Sequence, residues 1–284
     1  MNMRRTYIGF VASLLTFVIG VALVMTWVAN RARPDKKPTP STAESPVPER
    51  GAHLTSFSQI ASTEIKEKNV RLGYELNVSY PQIANPKTRQ ERGFNLYVEK
   101  LVTDDVKSFR AYCSKDKAYS GDTRQRGDYH FNLSYEVLYS MPELLSVNLT
   151  EESYTGYLNS DWFPVAVNYD LKAGKPLALA DLFKPKSKFL EAIASYCVTE
   201  LERVGLDCGG KGGDHVIDEG MLRKGTLPKA ENYVTWNLTR AGIQITFGEY
   251  QIGPGCVGIV NVVVPYGHLN ELLRKDYAGN TSQW

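Results

Sequence analysis

Apolar and polar positions alternate along this chain in several separate blocks. Val70, Leu72, Tyr74, Leu76, Val78 and Tyr80 fall on every second position, the period that puts one set of side chains on one face of a strand. The same period returns at Tyr129–Tyr139, Leu145–Leu149 and Phe163–Leu171. Between the first two blocks the spacing changes. Asn85 and Pro86 read as an N-cap and a first helical residue, and Phe94, Tyr97, Val98, Leu101, Val102, Val106 and Phe109 then share one helical stripe. A second stripe of Phe189, Ile193, Tyr196, Cys197, Leu201 and Val204 predicts a helix over Lys186–Val204, stopped by Gly205. Strands are expected at Tyr233–Leu238, Ile243–Phe247 and Val257–Val264, with a short helix over Gly267–Lys275. The order predicts an α+β fold, a largely antiparallel sheet with two long amphipathic helices packed on one face.

Two unlike segments precede these blocks. Tyr7 to Ala29 carries no charge and lies between Arg4–Arg5 and Arg31. At about 1.5 Å per residue this run is long enough to span a bilayer core, which predicts an N-terminal transmembrane helix over residues 7–29. A cleavable signal peptide is the rival, but the exit Thr26-Trp27-Val28-Ala29-Asn30 is poor for cleavage. Pro34, Pro38, Pro40, Pro46 and Pro48 then stand among Ser, Thr and Glu, the composition of a semi-extended stalk. The expected organisation is an anchor at 1–30, a stalk at 31–55 and modules at 56–158 and 159–284. Basic residues flank both ends of the span, so they choose no side. The stalk and an even number of cysteines favour a domain outside the cytoplasmic membrane, periplasmic or on the cell surface.

Over its 284 residues the chain carries 33 basic and 31 acidic side chains, a net charge of +2. No large single-sign field follows, so no nucleic-acid partner is expected. Its 4 histidines are scattered, and Cys208 near His215 lacks the remaining pair that zinc needs. The tract Cys208–His215 lacks the order of a phosphate loop, and no G-x-S-x-G nucleophile elbow occurs. No cofactor is implied. Asp104–Asp105 and Glu151–Glu152 are neighbours whose side chains diverge, which favours solvated surface pairs over a catalytic dyad.

The 4 cysteines are Cys113, Cys197, Cys208 and Cys256, which allow three pairings that sequence alone does not choose between. Cys197 and Cys208 bracket the end of the second helix, so a local bridge between them is the first expectation, leaving Cys113 and Cys256.

Three stretches carry a family resemblance. Tyr169-Asp-Leu-Lys-Ala-Gly-Lys-Pro-Leu-Ala-Leu-Ala-Asp-Leu-Phe183 resembles the D-L-x-x-G-K-x-[IL]-x-L-x-D-L-F signature of the C-terminal domain of RsiV-type anti-sigma factors. Phe247–Gly258 is similar to that family's F-x-x-Y-x-I-x-P-x-x-x-G segment, and Val262–Tyr266 to its closing strand. Upstream, Ser79–Ile83 and the helix that follows resemble the preceding module, shared with PdaC-type deacetylases. The resemblance implies an extracytoplasmic α+β unit and, in the RsiV type, a surface that binds lysozyme. Six residues precede the span, so a sigma-binding segment is expected to be absent. No polysaccharide deacetylase domain follows Trp284, so the catalysis of PdaC is expected to be absent as well.

Aromatic content supports recognition, with 17 Tyr and 4 Trp. Tyr154, Tyr157, Trp162, Tyr250 and Tyr266 fall outside the alternating core registers, and such side chains are favoured at recognition surfaces. The reading is a membrane-anchored, non-enzymatic binding or sensing module of a bacterial envelope. Lysozyme, a lysozyme-like protein or peptidoglycan is its expected ligand. A cell-wall glycan hydrolase or deacetylase and a structural envelope subunit are the alternatives. A net charge of +2 gives no overall attraction for a cationic ligand, so any such binding has to come from local patches.

Overall fold

The computed structural model describes residues 59–119, 129–156, 159–208 and 218–278. The expected span at 7–29, Tyr157 and most of the glycine tract lie outside the described residues. Among the described residues no helix is long and apolar enough to cross a membrane. Residues 54–284 form one compact unit.

Six strands make the larger sheet: β1 (Ile60–Asn69), β2 (Tyr74–Ile83), β3 (Tyr129–Met141), β4 (Leu144–Tyr154), β5 (Asp161–Asp170) and β6 (Lys175–Pro176), in the order of the chain. All neighbours are antiparallel except β2 and β3, which run parallel over Tyr74–Val78. The long helix α1 (Arg89–Tyr119) lies between them in sequence, as a crossover between parallel strands requires. The alternation at 70–80 belongs to two features rather than one strand. Residues 70–73 are a turn, with Gly73 at φ 69° and Val70 at 85 % exposure, and the strand begins at Tyr74.

The start of α1 also differs from expectation. Asn85 sits at φ 51° outside the helix, and Thr88 caps it instead. The Glu91 amide donates to Thr88 Oγ1 at 3.1 Å, and Glu91 Oε2 accepts from the Thr88 amide at 2.8 Å, the reciprocal pair of a capping box. The stripe then buries Phe94, Val98, Val102, Val106 and Phe109 against Leu76, Val78, Phe131 and Leu133. Each side chain of this kind contributes on the order of 1.5–3 kcal/mol when removed from water.

A second core lies around the three-stranded antiparallel sheet of β7 (Trp236–Leu238), β8 (Gly242–Phe247) and β9 (Val260–Pro265). Helix α2 (Phe189–Val204) packs there through Ile193, Ala194, Cys197 and Leu201. The two long helices therefore serve two cores, not one shared face. The reason lies in the β4 register. Val147 faces the core of α1, while its neighbour Ser146 faces the opposite way and meets Asn237 and Leu238 of β7, as alternation along a strand demands. The smaller sheet thus covers the opposite face of the larger one at the Ser146–Asn168 end. Among the described residues the other end of that face is left partly exposed, at His130 and Glu152.

Candidate functional site

On the open end, register places polar side chains in rows. His130 is opposite Tyr154 and Asn132 opposite Glu152 across β3 and β4. Glu152 is opposite Trp162 across β4 and β5, and Glu75 and Asn77 of β2 neighbour His130 and Asn132. The rows make contact. Asn132 Nδ2 donates to Glu152 Oε2 at 2.9 Å, and Asn77 Nδ2 donates to Asn132 Oδ1 at 3.4 Å. His130 Nε2 lies 3.5 Å from Glu152 Oε1 and 3.4 Å from Ser160 Oγ, and its ring stacks on Tyr154 at 5.5 Å between centroids.

Burial by itself would raise the Glu152 carboxyl. Hydrogen bonds from Asn132, Ser160 and His130, with the His130 charge, outweigh burial and hold it below the usual carboxylate range. The cluster therefore presents an ionised carboxylate, an imidazole, a hydroxyl and two side-chain amides together at one sheet face. Trp162, 40 % exposed, stands beside it. Such a surface can hydrogen-bond sugar hydroxyls and stack on a sugar ring, and it carries groups able to move a proton. Among the described residues no group of three or more His, Cys, Asp or Glu side chains could hold a metal ion.

The aromatic candidates separate. Tyr154 and Trp162 border the cluster. Tyr250 projects from the loop after β8, 67 % exposed at φ 61°. That loop abuts the start of β5, where Glu249 accepts from the Trp162 backbone amide. Burial and the nearby Asp161 charge raise the Glu249 carboxyl, and burial raises that of Asp161. Tyr266 is tied elsewhere. It packs on the second core and donates to the Thr239 carbonyl at 2.9 Å.

The cysteine pairing is corrected. Cys208 bonds Cys256, 48 residues away in sequence, and pins the Tyr250 loop to the end of the α2 segment. Cys197 is fully buried on the inner side of α2, where burial pushes its thiol up to about 12, and Cys113 is buried under α1. A bridge from Cys197 to Cys208 would have to draw a core side chain to the surface.

Sequence reasoning missed His130, Asn132 and Ser160 as site residues and took Glu152 only as half of a surface pair with Glu151. Alternation marks positions 130 and 132 as outward, but only the register brings them to Glu152.

The fold and site define an α+β protein with two hydrophobic cores and, among the described residues, a partly exposed polar sheet face. Residues 66–157 match the family described as "Deacetylase PdaC", and residues 180–267 match "Protein of unknown function (DUF3298)". The chain is thus similar to a PdaC-type N-terminal module followed by a DUF3298 module. It is 23 % identical over 200 residues to the peptidoglycan-N-acetylmuramic acid deacetylase PdaC of Bacillus subtilis (strain 168), covering 70 % of this chain and 39 % of that protein. The chain spans about two fifths of that relative's length. Two solved structures of DUF3298 proteins share the fold. The one from Bacteroides fragilis has a TM-score of 0.54 at 18 % identity, covering 81 % of this chain and 100 % of that one. The one from Pseudomonas aeruginosa PAO1 has 0.55 at 13 %, covering 77 % and 96 %.

These matches overturn the expectation of a non-enzymatic module. Both the family over 66–157 and the Bacillus relative carry a deacetylase name, so enzyme activity stands among the readings of this chain.

Proposed function

We propose that this is a cell-wall-related protein acting outside the cytoplasm, and that the open face around Glu152 engages cell-wall glycan. The carrying observation is the cluster of His130, Asn132, Glu152 and Ser160 bordered by Tyr154 and Trp162. The relative's name supports the glycan, and the disulfide supports an oxidising compartment. Residues 7–29 would tether the protein to the membrane. A lysozyme-like protein is the competing ligand.

Deacetylation of the bound glycan is the second reading, favoured by the deacetylase matches. The His130–Glu152 pair is where a proton could be handled. Co-sedimentation with purified peptidoglycan and acetate release, measured on the same samples, test both readings. Wild type is expected in the pellet, with Glu152→Gln and Trp162→Ala largely in the supernatant. Equal sedimentation of all three removes this face from the account. Acetate release that vanishes in His130→Ala assigns the second reading to this cluster.

A further inference from the structure

We propose that this face selects hexosamine units whose amino group is free, the product of a deacetylation, over units that keep the acetyl group. The inference rests on the glycan reading above and goes on to name the chemistry the face prefers.

Glu152 has a side-chain exposure of 22 %, and one of its oxygens is fixed by Asn132 at 2.9 Å. The other faces His130 and Ser160 at the surface. Glu75 stands on the neighbouring row at 44 % exposure, with Lys68 at 3.5 Å. A protonated amine entering here would make a charge-assisted hydrogen bond to a partly desolvated carboxylate, stronger than the same contact in open water. The rings of Trp162 and Tyr154 flank the same spot, and ring faces attract cations.

An acetamido group meets the opposite conditions. It is neutral and bulkier, and its carbonyl oxygen would confront the Glu152 carboxylate. Its amide hydrogen would satisfy one acceptor where the ammonium supplies three donors. Sites built around one polar partner discriminate most strongly against the analogue that lacks it. The face would then gather glycan downstream of an N-deacetylating reaction, whether that reaction is performed by another protein or by this one.

The test is calorimetric titration of the full chain with two probes, a glucosamine hexamer and the fully N-acetylated hexamer. The glucosamine hexamer is expected to bind at least about ten-fold tighter, with an advantage that shrinks as salt rises. Glu152→Gln should abolish that advantage and Glu75→Gln should reduce it, while Glu231→Gln on the second module leaves it intact. Matching melting temperatures separate lost selectivity from lost folding. Equal or tighter binding of the acetylated hexamer overturns this inference and leaves the glycan reading standing. An advantage that survives Glu152→Gln also overturns it, because groups other than Glu152 then carry the preference. Binding of neither hexamer, together with no retention on peptidoglycan, removes both.

Discussion

The side-chain amide of Asn237 on β7 donates to the hydroxyl of Ser146 on β4 at 3.0 Å, joining the two sheets across 91 residues of sequence. Ser146 in turn donates to Asn168 Oδ1 at 2.6 Å, and Asn168 donates to the Trp236 carbonyl at 2.6 Å. All three side chains are buried. Ser146→Ala leaves the Leu238 amide only its long contact to Asn168 Oδ1 at 3.4 Å and removes one of the two acceptors of the Asn237 side chain, where water is excluded. A loss of about 1–3 kcal/mol is expected, read by urea denaturation. A surface serine changed in the same way, Ser134→Ala, should stay within about 0.5 kcal/mol.

The Cys208–Cys256 bridge gives a second prediction. Closing a loop across a separation of 48 residues contributes about 4 kcal/mol in the chain-entropy model. Cys256→Ser should lower the melting temperature and make it insensitive to reductant. Non-reducing peptide mapping should recover Cys208 linked to Cys256. A linked Cys197–Cys208 peptide would refute this pairing.

Much of the architecture was legible because burial leaves a period in the sequence. The stripe from Phe94 to Phe109 and the alternation from Tyr129 to Tyr139 named their elements and their inward faces. β1 was missed because an edge strand is only half buried, and its sequence, IASTEIKEKN, is largely polar. The division into two cores was missed for another reason. Alternation says which residues share a face, not which layer covers it. Ser146 and Asn168 read as polar positions, yet they are buried under β7. The site shows the same limit. Glu152 looked like half of a solvated pair with Glu151, and only pairing with Asn132 and Trp162 sets it in a cluster.

Glu67 on β1 predicts a pH dependence. It accepts hydrogen bonds from Tyr74 and from Arg110 of α1, which fastens the edge strand to the helix. The Tyr74 hydrogen bond holds the Glu67 carboxyl below its usual range against burial, with help from the Arg110 contact and charge. A folded-state value below the unfolded one means that the stabilisation is complete above the unfolded value and is lost as pH falls through the folded value. Glu67→Gln should therefore destabilise at neutral pH and converge with wild type in acid. The neutral-pH loss is expected to stay below about 1 kcal/mol, because the ion pair is partly solvated. Thermal melts across pH 2–7 check this, and parallel curves for the two proteins would contradict it.

The loop that displays Tyr250 depends on a glycine two elements away. Gly225 ends α3 (Glu219–Gly225), and a Cβ there would lie 2.0 Å from the Gln251 carbonyl oxygen. Gln251 closes the contact from its own side. Its Nε2 donates to the Gly225 and Asn232 carbonyls at 3.2 and 3.0 Å, and its Oε1 accepts from the Gly248 amide at 3.1 Å. Backbone on both sides leaves no flexible side chain to yield, so Gly225→Ala must shift the loop or the end of α3. Overpacking of this kind costs about 1–3 kcal/mol. Gly248→Ala is the matched control within the same loop, since a Cβ there meets nothing within 4 Å. Gly225→Ala should be clearly destabilised and should expose the loop to limited proteolysis near Tyr250, while Gly248→Ala behaves as wild type. Equal stability of the two variants would show that the close approach of Gly225 to Gln251 does not hold the loop.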